Sequence, residues 1–278
     1  MSYPKDIFTK SENEVAAART EVGVYDFLPA PAAGSAIPNY VEHYQLDALA
    51  FDYFAPSTDP ATVHEERRLH EEILSRLPET ARTVLDVGCG RGWVADALFP
   101  RGKCVISFDL ARPNVEEVAR RHSGNNHLAV VGDVLDLPFR DHSMDAIISS
   151  EVMEHVADLP TYLVELIRVT KPGGRIIIST PYAEKIQYSL CIHCNRATPL
   201  HAHLHSFNER AIAELLAPFP GIRYRTHTFS NKALTLLRTY PLLRSLPFPL
   251  WRWVDGLANR VVRRPSRLIV EIFTNSAN

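Results

Sequence analysis

Residues 84–98 read Val-Leu-Asp-Val-Gly-Cys-Gly-Arg-Gly-Trp-Val-Ala-Asp-Ala-Leu: a short apolar strand, a glycine-rich turn and the start of a helix. Lacking a Cβ, Gly88, Gly90 and Gly92 let the backbone turn left-handed and let a ligand lie against it, with N–H groups of the helix end facing outward. The pattern suits a nucleotide-like ligand. A dinucleotide fingerprint would carry its third glycine at position 93, where helix packs tightly on strand, and this chain has Trp93 there.

Outward from this turn, strands and helices alternate. Strands are expected over 83–88, 104–109, 128–131, 146–150 and 175–180, with helices over 62–77, 92–99, 113–121 and 159–169. Alternation of this kind implies a parallel, doubly wound sheet covered on both faces. Lys171-Pro172-Gly173-Gly174 reads as the turn before a central strand through Ile176-Ile177-Ile178. Asn208 is placed to cap a helix ending near Leu216, and 222–228 and 268–273 look like a late strand pair around an insertion at 231–265. Residues 1–61 read as an N-terminal lid or substrate segment. The prolines at 29, 31, 38, 56 and 60 imply loops and short helices there rather than sheet.

A chain of 278 residues allows one large core with appendages, here 62–278 after the lid. A net charge of -2 gives no global attraction to nucleic acid or acidic membranes, so any such attraction must be local. Residues 1–22 carry no apolar core of a leader and no window is long enough to span a bilayer, which points to a cytoplasmic protein. Four unevenly spaced cysteines do not make a disulfide framework; Cys89 and Cys104 fall on predicted core elements.

The spacing Gly88-x-Gly90-x-Gly92 with Asp86 before it resembles the first motif of class I S-adenosylmethionine (SAM) methyltransferases, of the methyltransferase type 11 kind. Asp109, 21 residues after Gly88, stands where a carboxylate can accept both ribose hydroxyls. Gly132-Asp133-Val134 follows the next strand, and Leu137-Pro138-Phe139 and Ser143-Met144-Asp145-Ala146 continue a stretch similar to the superfamily over about 82–182. The resemblance implies a Rossmann-like sheet, mostly parallel with a late antiparallel strand, and SAM held by Asp86, Gly88, Cys89, Gly90, Asp109, Leu110, Asp133, Val134 and Ser150. It leaves the acceptor open.

After the fourth strand comes Ser150-Glu151-Val152-Met153-Glu154-His155-Val156. A helix beginning here would set Glu151, Glu154 and His155 at i, i+3 and i+4 on one face, looking into the ligand crevice. Two carboxylates and an imidazole converging there suit a divalent cation, or a general base acting through His155. The segment resembles the Glu-x-x-Glu-His stretch of ubiquinone-biosynthesis O-methyltransferases and of small-RNA 3′-terminal 2′-O-methyltransferases. That resemblance implies a later histidine as a further ligand, His203 best and His205 as the alternate, for magnesium, manganese or zinc.

Cys191-Ile192-His193-Cys194 is a C-x-x-C followed by His201, His203 and His205 within 183–207. It reads as a separate zinc site on Cys191 and Cys194, a reduced pair in a substrate loop, or a redox pair. From Arg223 to Arg267 basic residues recur, interleaved with Leu, Phe and Trp, and Asp255 is the one acid. This segment reads as an interfacial or apolar substrate surface touching membranes peripherally, as an RNA-phosphate surface, or as a helical cover with solvated arginines. Together these features point to O-methylation of a small or lipid-like molecule. RNA 2′-O-methylation and a non-catalytic SAM-binding scaffold are the alternatives.

Overall fold

A computed structural model describes residues 6–28, 40–122, 124, 126–192 and 194–275. Its centre is an eight-stranded sheet of β1 (Tyr25–Asp26), β2 (Thr83–Val87), β3 (Cys104–Asp109), β4 (His127–Val131), β5 (Met144–Ser150), β6 (Thr170–Pro181), β9 (Ile222–Asn231) and β10 (Pro265–Thr274). The spatial order is β1-β4-β3-β2-β5-β6-β10-β9, parallel from β1 to β6, with β10 antiparallel to both β6 and β9. The central strands are apolar on both faces because helices cover both. Leu85, Ile106, Ile147 and Ile178 face one core with Tyr162 and Leu166, while Val84, Val105, Ile148 and Ile177 face the other with Leu69, Ile73 and Leu98.

Between strands run α3 (Pro60–Leu74), α4 (Trp93–Leu98), α5 (Arg112–Arg121), α6 (Leu159–Val169) and α7 (Glu209–Leu216), preceded by α1 (Glu12–Ala18) and α2 (Tyr40–Ala50). Local chemistry sets their starts: Asp59, Asp158 and Asn208 each accept a backbone N–H at the first turn of α3, α6 and α7. α3 stops at Leu74 rather than 77, since Pro78 turns the chain before the next strand. β7 (Tyr188–Leu190) and β8 (Ala197–Pro199) form a separate hairpin, and α8 (Lys232–Leu236), α9 (Tyr240–Leu243) and α10 (Phe248–Val261) make up the insertion between β9 and β10.

Two expectations need correction. The proline-rich stretch 23–60 does contribute to the sheet, because Tyr25 and Asp26 pair in parallel with Val130 and Val131 and so cover its edge. The prolines at 29, 31 and 38 lie outside the described residues. No α-helix follows β5 either: Glu151 has φ 57 and a single 3-10 turn, Met153–His155, precedes α6. Among the described residues, no helix is long and apolar enough to cross a membrane.

Candidate active site

Where β2 ends, the chain turns over the carboxyl edge of the sheet, the edge at which open α/β sheets bind ligands. The N–H groups of Gly88 and Cys89 donate to the carbonyl of Phe108 on β3, which ties the turn to the neighbouring strand. Gly88 has φ 70, and a Cβ there would lie 2.3 Å from Val152 Cγ2; Gly90 has φ 48 but opens onto empty space. Bare backbone is therefore required at Gly88 by packing, and at Gly90 by conformation with room left above it. Cys89 turns its thiol into a small core with Val115 and Val131 and can serve a ligand through backbone alone.

At the tip of β3, Asp109 accepts the N–H of Gly90 at 2.9 Å on one oxygen and that of Ala111 at 2.9 Å on the other. These bonds fix the carboxylate beside the turn and leave lone pairs on both oxygens for a diol. Burial raises the pKa of Asp109. Asp86, behind the turn, is raised well above the ordinary carboxylate range by burial and then by Asp109, and its Oδ2 has no hydrogen-bond partner. Asp133 Oδ1 accepts the N–H of Leu135 at 3.0 Å, a local turn bond, and its Oδ2 receives the hydroxyl of Tyr40. Val134 packs beside the core.

α2 lies across this edge. Gln45 donates to the carbonyl of Leu110 at 2.6 Å and accepts the N–H of Arg112 at 3.2 Å. Tyr44 meets His155 edge-on with ring centroids 6.0 Å apart, and burial, with Asp47, Glu154 and Asp109 adding to it, pushes its hydroxyl up to about 12. Tyr44 thus links the Asp109 side of the crevice to the cluster after β5.

In that cluster Glu154, His155 and His203 bring one ligand atom each within 4.8 Å of one another. Glu154 is 1% exposed, and its carboxyl makes no close hydrogen bond but has the Thr180 hydroxyl beside it. Burial, then Glu151, pushes its pKa up to about 8. Burial followed by His203 lowers His155 to about 4, against the Ala202 backbone that favours its protonated form, so its ring is neutral at neutral pH. The His155 and His203 rings stand 4.8 Å apart, and Glu184 Oε2 lies 2.5 Å from His203 Nδ1, which holds that ring and leaves Nε2 for the cluster.

The loop carrying His203 is docked by backbone. The N–H groups of Leu204 and His205 both donate to the carbonyl of Glu154, and His205 Nε2 donates to the carbonyl of Val156 at 3.0 Å. His205 is a strut of this loop, not a member of the cluster. Glu151 also stands apart: its carboxylate accepts Ser179 Oγ at 3.1 Å and lies 3.3 Å from Arg267 Nε. Its left-handed backbone, where a helix was expected, aims the side chain toward β6 and β10. Ser150 Oγ bonds Ser179 Oγ at 3.0 Å in the same network.

Residues 85–178 match the family described as Methyltransferase domain. Over that stretch the chain is similar to SAM-dependent methyltransferases. It is similar to a malonyl-[acyl-carrier protein] O-methyltransferase of Serratia marcescens, 38% identical over 51% of this chain and 55% of that protein. A demethylmenaquinone methyltransferase of Clavibacter sepedonicus is 33% identical over 48% of this chain and 56% of that protein. The chain thus spans about half the length of these relatives. A crystal structure of a SAM-dependent methyltransferase from Mesorhizobium loti shares the fold, with TM-score 0.55 and 16% identity over 76% of this chain and 99% of that one.

The matched stretch includes the glycine turn and Asp109, while the cluster draws also on residues beyond it. Glu184 and His203 lie after it, and Glu184 escapes sequence reading because nothing in its spacing pairs it with a histidine 19 residues on. Cys191 and Cys194 lie in the loop joining β7 to β8, where Asn195 donates to the carbonyl of Cys191 at 2.9 Å. Among the described residues, the group at Glu154, His155 and His203 is the one that meets metal-ligating geometry, and the cysteine pair does not join it. His193 lies outside the described residues.

Proposed function

We propose that the chain transfers the methyl group of SAM to an oxygen of a small, lipid-like acceptor. Asp109 would take the ribose diol, the Gly88 and Gly90 backbone the methionine end, and Asp133 with Val134 the adenine side, in keeping with the methyltransferase domain. Residues 40–61 act as the lid: α2 already spans from Asp133 to His155. The segments that supply Tyr44 and His203 also carry exposed apolar side chains, Leu49 and Phe51 on one and Leu190, Ile192 and Leu204 on the other. Exposed hydrocarbon on both segments supports an acceptor with apolar character.

The single observation carrying the catalytic reading is the convergence of buried Glu154 with His155 and His203, one ligand atom of each lying within 4.8 Å of the others. Two imidazoles and one carboxylate fit a divalent cation such as magnesium, manganese or zinc, with Glu154, His155 and His203 as its holders. A cation held there supplies Lewis acidity to the acceptor hydroxyl. With no cation bound, the chain's own part is to orient the hydroxyl with Glu154, to receive its proton at the neutral His155 ring, and to exclude water under Tyr44. The C–O bond forms as the C–S bond breaks, and the sulfur keeps that electron pair.

A methyl-transfer screen over phenols, hydroxy acids and prenylated alcohols tests this reading. Glu154→Gln is expected to lower kcat about 100-fold while SAM affinity stays within about twofold. Wild-type turnover in Glu154→Gln would exclude the cluster from the reaction.

A further inference from the structure

We infer that the insertion between β9 and β10 is a docking surface for anionic lipid membranes. α10 buries Trp251 and Asp255 against the sheet and turns Leu250, Trp253, Leu257 and Val261 outward, a second apolar stripe at helical spacing. Leu236 and Leu242, on α8 and α9, are each 76% exposed, Val261 is 78% exposed and Trp253 64%. A one-sided cover over a sheet would bury its large apolar residues, and these stand in solvent instead.

The platform is fixed rather than loose. Buried Arg68 on α3 donates to the carbonyls of Leu243 at 2.7 Å and Leu246 at 2.8 Å, and its guanidinium lies 5.0 Å from the Trp251 ring centroid. The outward charge has one sign. Arg238, Arg244, Arg260, Arg263 and Arg264 are exposed and, among the described residues, make no salt bridge. Asp255, the one acid from 223 to 267, is buried and accepts the N–H groups of Ser230 and Asn231.

This combination selects the occupant. A second copy of the chain would set arginine against arginine. A nucleic acid would meet a stripe mostly of leucine and valine, with Trp253 as its one stacking plane among the residues named. An anionic bilayer satisfies both features, with headgroups for the guanidinium groups, acyl chains for the leucines, and the interfacial zone that Trp prefers. β9 ends and β10 begins at the edge of the sheet where β6 ends, so the surface springs from the edge that carries the candidate site.

Vesicle flotation of the full chain tests the inference. Phosphatidylcholine vesicles containing an equal share of phosphatidylglycerol are expected to carry the protein up, and phosphatidylcholine alone to leave it behind. Trp253→Ser with Leu257→Ser, and separately Arg263→Glu with Arg264→Glu, should each cut flotation at least about tenfold with an unchanged melting temperature. Failure of the wild type to float with the anionic vesicles overturns the inference. So does undiminished flotation of the charge variant, or a dimer in sedimentation that Trp253→Ser abolishes.

Discussion

Gly88 and Gly90 sit two residues apart with similar backbones and opposite surroundings. Gly88→Ala drives a Cβ to 2.3 Å from Val152 Cγ2 on top of a left-handed backbone, and is expected to cost about 2–4 kcal/mol in urea unfolding. Gly90→Ala meets no protein atom, so it should cost about 1 kcal/mol of stability and act mainly on SAM affinity, which calorimetry reads. His127 gives a pH test away from the site. It is buried, its Nδ1 donates to the carbonyl of His122 at 2.9 Å, and its Nε2 is 3.0 Å from Ser107 Oγ; burial lowers its pKa to about 4 from an ordinary 6.5. The unfolded chain therefore binds the proton first. Stability from this ring is complete above pH 6.5 and drains as pH falls toward about 4. Urea unfolding of His127→Gln should lose up to about 3 kcal/mol less than wild type across that window, and parallel losses would contradict the assignment. At this scale, Asp109 was legible because a strand-helix-strand unit sets its offset from the glycine turn. Glu151 was not, because grouping it with Glu154 assumed a helical phase that its φ of 57 denies.

Elements with a period could be read, and those without one could not. β3, β5 and β6 declare themselves by apolar runs, and α6 by an amphipathic stripe starting at its Asp158 cap. β1 is two residues long and the strands of the β7–β8 hairpin are exposed except at half-buried Pro199, so neither leaves a hydrophobic pattern. The insertion was legible as a break between late strands, but its mounting was not, because Arg68 reads as one more charge on a polar helix face. Arg68→Ala removes the donor to two carbonyls and the cation over Trp251. It should cost about 2–4 kcal/mol and raise hydrogen exchange over 240–250 while leaving β2 to β5 protected. Uniform exchange across the chain would show that Arg68 is not what seats the insertion.

Across the whole molecule, a net charge of -2 conceals a local excess: a positive, apolar insertion stands at one flank, while Asp109 and Asp133 stand at the crevice at the sheet's centre. The Rossmann-like fold positions the crevice, and α2, the His203 loop and the insertion gather around the same edge. The proposed function depends on the crevice holding the coenzyme by Asp109. Titration calorimetry with S-adenosylhomocysteine, the demethylated coenzyme, on wild type and Asp109→Ala measures this directly. The account predicts saturable binding in the micromolar range that weakens at least about tenfold in the variant, as loss of a carboxylate hydrogen-bonded to a diol requires. No heat at millimolar coenzyme, or equal affinity in Asp109→Ala, would contradict it.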